Sequence, residues 1–218
     1  LWADVVRARL AIRIRALLSG SATGVPAWTP LVEAGSDVGL FEPSDAPWVV
    51  HADVATMVGG IRALLLQAMH PGSLAGVMQH SRYEEDALGR LAGTIRWLTI
   101  CTFAARSAVE DESARVRQMH KRVRGTYLDN SGATIEYSAA DEYLLNWVHI
   151  AFTDSFLTAH TKFGVLAIPG GADNYVRMWG EVVKYLGVVA PASSYAEMQQ
   201  QITGYLPQLR VDDRTRRV

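Results

Sequence analysis

Arg115-Val-Arg-Gln-Met-His-Lys-Arg-Val-Arg-Gly125 is the stretch that best defines the fold, because it has the alternation of an amphipathic helix. At 3.6 residues per turn one side of the helix carries Val109, Val116, Met119, His120 and Val123. The arginines and Lys121 mostly flank or oppose that side. His120 therefore points toward an apolar interior, where its imidazole needs a partner: a carbonyl, a carboxylate or a metal.

Helical periodicity continues on both sides of this stretch. Outside it, the pattern predicts helices over residues 2–18, 61–69, 72–80, 85–106, 172–186 and 194–205. The helix that carries His120 is expected over residues 108–124, with Gly125 just after its end. Ser138-Ala-Ala-Asp141 predicts the start of a long helix that reaches about residue 162. The fold class is all-α with one short β-hairpin at residues 126–137, around Asp129-Asn-Ser-Gly132.

Length and composition favour one globular domain over residues 1–218, with a loop-rich lead-in over residues 1–50. Lys plus Arg number 21 against 22 Asp plus Glu, which gives no reason to expect nucleic acid as a partner. The single cysteine, Cys101, excludes an internal disulfide and suits a reducing compartment, so a cytoplasmic location is expected. The pattern does not indicate an oligomeric state.

The most apolar stretch, Val54 to Val77, is expected to be a buried helical segment and not a membrane span. Arg62, Gln67, His70 and Pro71 interrupt it. A span needs roughly 20 consecutive apolar residues.

A second histidine, His149, lies on the apolar side of the long helix, together with Leu145, Phe152 and Phe156. Two helices thus each direct one imidazole inward, which is unusual for a simple helical bundle. From the pattern alone, two core histidines satisfied by hydrogen bonds are the favoured explanation over two ligands.

Arg90 and Thr94 form a third candidate pair, four residues apart on one helical face. Together they could orient an anion or an oxygen ligand. On spacing alone the favoured interpretation is instead that Arg90 extends to a nearby carboxylate such as Glu84, Glu85 or Asp86.

Several catalytic motifs are missing from the sequence. There is no Glu-x-x-His of helical di-iron proteins, no His-Glu-x-x-His zinc motif, no phosphate-binding glycine loop and no Gly-x-Ser-x-Gly. A helical core with inward imidazoles and an arginine suits a haem held by one proximal histidine.

Blocks in a fixed order resemble the domain shared by latex-clearing proteins (rubber oxygenases) and the ER-bound oxygenase of mycophenolic acid biosynthesis. They are Trp48-Val-Val-His-Ala-Asp53, Gly59-Gly-Ile-Arg-Ala-Leu-Leu-Leu-Gln-Ala-Met-His-Pro71, Ala75-Gly-Val-Met-Gln-His-Ser81, Gly89-Arg-Leu with Thr94, Val116 to Gly125, Tyr137-Ser-Ala-Ala-Asp141 and Leu145-Asn-Trp-Val-His149. The resemblance covers roughly residues 37–190.

The resemblance implies a globin-like helical domain that binds haem b. His120, in Met119-His120-x-x-Val123-x-Gly125, would be the proximal iron ligand. Arg90 and Thr94 would border the haem and oxygen site, and His149 would be a buried supporting residue. Gly93 stands where rubber oxygenases have a lysine, so haem binding carries over more safely than rubber cleavage.

The leading expectation is a haem-dependent oxidoreductase, an oxygenase that uses dioxygen on a small lipophilic substrate, with an unsaturated one as the narrower case. One alternative is a non-catalytic haem carrier or sensor with the same ligand. Another is a cofactor-free helical module that binds an apolar ligand.

Overall fold

The computed structural model describes residues 25–33, 37–80 and 87–217, together with scattered positions among the first 24 residues; the side chains of residues 87–90 are outside that description. The helix expected over residues 2–18 therefore lies largely outside the described residues. The chain forms two compact units. The smaller unit comprises Leu1–Leu40 and Ser81–Glu112, and the larger unit comprises Phe41–His80 and Ser113–Val218. One domain over residues 1–218 stays a prediction.

Helices dominate the described residues, and one antiparallel hairpin accompanies them. The helices are α1 (Thr29–Glu33), α2 (Ala46–Ala52), α3 (Ala55–Met69), α4 (Pro71–His80), α5 (Ala87–Phe103), α6 (Arg106–Arg122), α7 (Glu142–Phe163), α8 (Gly171–Lys184) and α9 (Tyr195–Tyr205). The hairpin pairs β1 (Arg124–Leu128) with β2 (Thr134–Ser138). The predicted class, all-α with one short hairpin, is confirmed.

Two glycines behave differently from what the pattern predicts. Gly59 was expected just before a helix but lies inside α3, where a Cβ would come 3.0 Å from the Cα of Phe156. Gly125 was expected at a helix end but lies in β1, where a Cβ would meet the side chains of Gln79 and Tyr137. Both glycines allow close packing between elements, a requirement that local sequence does not reveal.

The larger unit is built around the crossing of α3 and α7. Gly59 lets α3 approach the backbone of α7 at Phe156, and Ala55 and Ala63 are buried on the same side of α3. Because small residues form this contact, α3 is held in one rotational setting, with Gly59 facing α7 and the opposite side facing outward.

Helix α7 is buried along most of its length, although it carries polar residues. Two of these residues satisfy their hydroxyls within the helix: Thr153 donates to the carbonyl of His149 at 2.7 Å, and Ser155 donates to that of Ala151 at 2.6 Å. Asp154 accepts hydrogen bonds from the side chains of Arg62 and Gln199. Because these polar groups are hydrogen-bonded, the helix can be buried although it carries several polar residues.

No single helix in the described part of the chain is long and apolar enough to cross a membrane. Helices α2 and α3 reach the necessary length and hydropathy only as a pair, and that pair is bent by 92°.

In the smaller unit, an ion pair is formed within the described residues by Arg96 of α5 and Glu112 of α6. The guanidinium donates to both carboxylate oxygens, with a shortest distance of 2.7 Å, and Glu112 is buried. Nearby, Asp37 accepts hydrogen bonds from the backbone and the hydroxyl of Ser107 at the start of α6.

Candidate functional site

Helix α6 positions His120, and its buried side differs in one respect from the predicted stripe. Val109 and Val116 are buried as expected, whereas Met119 is 47% exposed. Glu112 and Ser113 fill the buried side in its place. The residues at i, i+3, i+4, i+7 and i+11 from Val109 thus form the inner side of α6, and His120 is the last of them.

The ring of His120 is half-buried and neutral. Burial lowers its pKa from the usual value for histidine, because the imidazolium loses hydration. Among the described residues, no side chain or backbone group forms a hydrogen bond with the ring. A neutral imidazole with an available nitrogen is the form in which histidine binds a metal.

His149 has a similar ring in a deeper position. It lies in the first half of α7, is only 6% exposed, and burial lowers its pKa to about 3. Within the part of the chain that the structure describes, its ring also has no hydrogen-bond partner. No hydrogen bond or ring contact joins it to His120 there.

The other four histidines of the chain each use a ring nitrogen on a protein group. The pairs are His51 with the Tyr175 hydroxyl (2.9 Å), His70 with Gln208 (3.3 Å), His80 with the Arg124 carbonyl (2.7 Å) and His160 with the Leu166 carbonyl (2.8 Å). The two histidines that sequence reasoning selected are therefore the two whose rings lack a partner among the described residues. Sequence reasoning did not anticipate the burial of His51 and His160, since their surroundings are assembled by distant segments.

His70 caps the start of a helix. Its Nδ1 accepts a hydrogen bond from the backbone N–H of Gly72 at 3.1 Å, at the start of α4. Its Nε2 therefore carries the proton and donates to Gln208. His70 is thus a structural residue that joins α4 to the 3₁₀ turn Leu206–Gln208.

Arg90 and Thr94 both lie in α5, so their spacing by four residues on one helix holds. The side chain of Arg90 is outside the described residues, and Thr94 is half-buried. Both belong to the smaller unit, whereas His120 belongs to the larger one. Their expected place beside His120 stays a prediction.

An open groove of about 610 Å³ runs along another side of α6. Its described lining residues are His80, Arg115, Gln118, Met119, Arg122 and Val123. The four from α6 follow the i, i+3, i+4, i+7 pattern of one helical side, and that side is turned away from the buried one. His120 is not among these lining residues.

Groups of three or more His, Cys, Asp or Glu side chains arranged to hold a metal ion do not occur among the described residues. A haem iron differs from such sites because the porphyrin supplies four ligands and the protein needs to supply only one. One neutral imidazole with an available nitrogen, as found at His120 and at His149, fits that requirement.

Comparison with known families shows that residues 48–218 match the catalytic domain described as ER-bound oxygenase mpaB/B′/rubber oxygenase. The match includes most of α2, all of α3 to α9, the hairpin, Arg90, Thr94, His120 and His149. No individually curated protein matches the chain. No solved structure matches it either.

Proposed function

Since this chain belongs to the family of ER-bound oxygenase mpaB/B′ and rubber oxygenase catalytic domains, it is an oxygenase that acts on a substrate and dioxygen, and we propose that it uses haem b held by His120. The proposed substrate is small and lipophilic, with an unsaturated compound as the narrower case. The proposal adds the cofactor, the ligand and the substrate class to the family's oxygenase chemistry.

The observation that supports it is the contrast among the six histidines. Four of them have a ring partner in the described part of the chain, while His120 and His149 do not. An imidazole that is kept neutral without a partner is costly unless something else uses its nitrogen. His120 also stands at the histidine of the family block Met119-His120-x-x-Val123-x-Gly125.

Access favours His120 over His149 as the ligand. His149 is almost fully enclosed in α7, which is buried along most of its length, so a porphyrin would have to enter the helical core. His120 is half-buried near the end of α6, so its ring can be approached from one side. In this assignment His149 is a buried supporting residue of the same unit.

Each proposed residue has one task. His120 offers a neutral nitrogen, and an acceptor on its other nitrogen would fix the ring orientation. Arg90, which is charged at any accessible pH, would donate charge-assisted hydrogen bonds to a propionate or to an oxygen ligand. Thr94 would add a hydroxyl donor one turn further along the same face of α5. When bound, haem supplies an iron that binds and activates dioxygen.

Absorption spectroscopy of the purified chain with added haemin tests the ligand assignment. The wild-type protein should give a Soret band, and His120→Ala should abolish it while the far-UV circular dichroism stays unchanged. His149→Ala should keep the Soret band and lower the melting temperature. His80→Ala is the matched control, since that ring already donates to the Arg124 carbonyl.

Three outcomes would change the proposal. Loss of the Soret band in His149→Ala, with retention in His120→Ala, would move the ligand role to His149. A six-coordinate spectrum that does not respond to oxygen would favour a haem carrier. Absence of any Soret band in the wild-type protein would favour a cofactor-free module that binds an apolar ligand.

A further inference from the structure

The open groove along α6 has no part in the proposed iron site. It has a volume of about 610 Å³, and its described lining residues are His80, Arg115, Gln118, Met119, Arg122 and Val123. All six belong to the larger unit. A volume of this size lies in the range of pockets that hold small molecules. We call this feature the α6 groove.

One end of the α6 groove carries a guanidinium that is available to a ligand. Arg122 is exposed, and it has no hydrogen bond or ion pair within the described part of the chain. Arg115, seven residues earlier on the same side of the helix, already interacts with another group. The two residues lie about 10 Å apart along the helix axis, so Arg122 is the cation that a ligand at this end would meet.

Hydrogen bonding to the end of the helix does not use Arg122, although basic residues near a helix C-terminus often bind its free carbonyls. The carbonyl of His120 accepts from the N–H of Val123 at 3.1 Å. The carbonyl of Lys121 accepts from the side chain of Arg124 at 3.2 Å. Because other groups serve these carbonyls, the guanidinium of Arg122 is left to the groove.

Apolar side chains of the α6 groove stand next to this cation. Met119 lies one turn before Arg122 on the same side of the helix and is 47% exposed. Val123 is half-buried and packs against the buried cluster that includes Tyr137, so its position is fixed. A guanidinium beside apolar side chains suits a ligand that has both an anionic group and an apolar body.

Hydrogen bonds between α4 and β1 hold the opposite wall of the α6 groove in place. The ring of His80 donates to the carbonyl of Arg124 at 2.7 Å. The side-chain amide of Gln79 donates to the carbonyl of Thr126 at 3.0 Å and accepts from the hydroxyl of Tyr137 at 2.9 Å. The wall is therefore formed before a ligand arrives, which lowers the entropic cost of binding.

The charges of the two segments that line the α6 groove favour an anion. Residues 71–80 contain no Asp, Glu, Lys or Arg, and residues 113–128 contain five Lys or Arg and no Asp or Glu. On α6 the exposed carboxylate of Asp111 precedes Arg122 by about 16 Å along the axis. Glu84, the first carboxylate after α4 in the sequence, lies outside the described residues.

We propose that the α6 groove binds a small organic acid, with its anionic group on Arg122 and its apolar body along Met119 and Val123. A carboxylate can accept two parallel hydrogen bonds from one guanidinium. The exposed amide of Gln118 offers a further donor on the same side of α6. Neither haem nor the substrate of the oxygenase is needed for this binding.

Isothermal titration calorimetry of the full chain with octanoate, below the concentration at which octanoate forms micelles, tests the proposal. One octanoate should bind per chain. Octanol, which has the same tail without the charge, should bind about tenfold or more weakly, because it cannot form charge-assisted hydrogen bonds. Acetate, which has the charge without the tail, should also bind about tenfold or more weakly, because it buries little apolar surface.

Variants separate the two parts of the α6 groove. Arg122→Gln should weaken octanoate binding about tenfold by removing the cation. Met119→Gln should weaken it about threefold and leave acetate binding unchanged, because only the tail contact is lost. Lys121→Gln is the matched control, since Lys121 is exposed and adjacent in sequence but does not line the groove. The three side chains are exposed, so the variants should fold, which circular dichroism checks.

Four results would overturn the proposal. One is the absence of any octanoate binding up to about 10 mM. Equal losses in Arg122→Gln and Lys121→Gln would show a general attraction to a basic surface. Equal affinities for octanoate and octanol would show an apolar surface without an anion site. Inorganic phosphate that binds as tightly as octanoate would show a site for the anion alone.

Discussion

Lowering the pH from 7 to 5 should destabilise the larger unit by about 4 kcal/mol, because two of its histidines stay neutral when folded. Burial lowers the pKa of both His51 and His149 to about 3, and the nearby His160 adds to the effect at His51. In the unfolded chain each histidine has a pKa of about 6.5. As the pH falls below that value, the two histidines bind protons in the unfolded state but not in the folded state.

The sign and the window follow from these pKa values. Above pH 6.5 both histidines are mostly neutral in the folded and in the unfolded state, so they do not change the free energy of unfolding. Between about pH 6.5 and 3 each one lowers the free energy of unfolding by about 1.4 kcal/mol per pH unit. The pKa values of His70 and His120 are also lowered by burial, so they act in the same direction. Carboxylates contribute little between pH 7 and 5, because their ordinary pKa values lie near 4.

Urea denaturation between pH 7 and 5, followed by tryptophan fluorescence, measures this slope, since Trp147 and Trp179 are buried in the same unit. His149→Gln removes one titrating group and should reduce the slope by about 1.4 kcal/mol per pH unit. A free energy of unfolding that is flat over this range would refute the reasoning. So would an unchanged slope in His149→Gln.

Two further predictions concern packing. Gly59→Ala should destabilise the protein by about 1–3 kcal/mol in urea denaturation, because a Cβ there meets Phe156. Gly204→Ala in α9 is the control and should be neutral or stabilising, because a Cβ there has open space. Equal effects of the two substitutions would contradict the close crossing of α3 and α7. Arg96→Met should cost about 3–5 kcal/mol by removing the Arg96 guanidinium from the buried Glu112 carboxylate, and adding Glu112→Met should recover much of that loss. A double variant no more stable than Arg96→Met would show that the ion pair does not account for the cost.

Helices were predictable from the sequence where one apolar side repeats regularly. The long helix expected after Ser138-Ala-Ala-Asp141 and up to about residue 162 is α7, Glu142–Phe163. Its N-cap is Asp141 and not Ser138, which lies in β2, and the Asp141 side chain makes no capping hydrogen bond. The hairpin was predicted from Asp129-Asn-Ser-Gly132, and Asp129 accepts hydrogen bonds from the backbone of Ser131 and Ala133 in that turn. Such features depend on neighbours within a few residues, so local sequence determines them.

Features that depend on distant partners were not predictable. Gly59 was read as a helix boundary because the pattern cannot show that Phe156 packs against it, 97 residues further along. Likewise, the sequence does not show that Glu112, in an acidic stretch, is buried, because its partner Arg96 lies on another helix. Local propensity competes with tertiary packing at such positions, and packing prevails.

The inward orientation of two imidazoles was predictable, but the difference between them that bears on the proposed ligand role was not. Helical period places both His120 and His149 on inner sides, and the structure keeps both neutral by burial. The difference between them is depth: α7 is enclosed along most of its length, whereas α6 has one exposed side that ends at the hairpin. Depth is a property of the whole packed unit, because it depends on how many other elements surround a helix. An imidazole can bind the iron of a flat porphyrin only if one side of its ring is open. This requirement favours His120 as the proposed ligand.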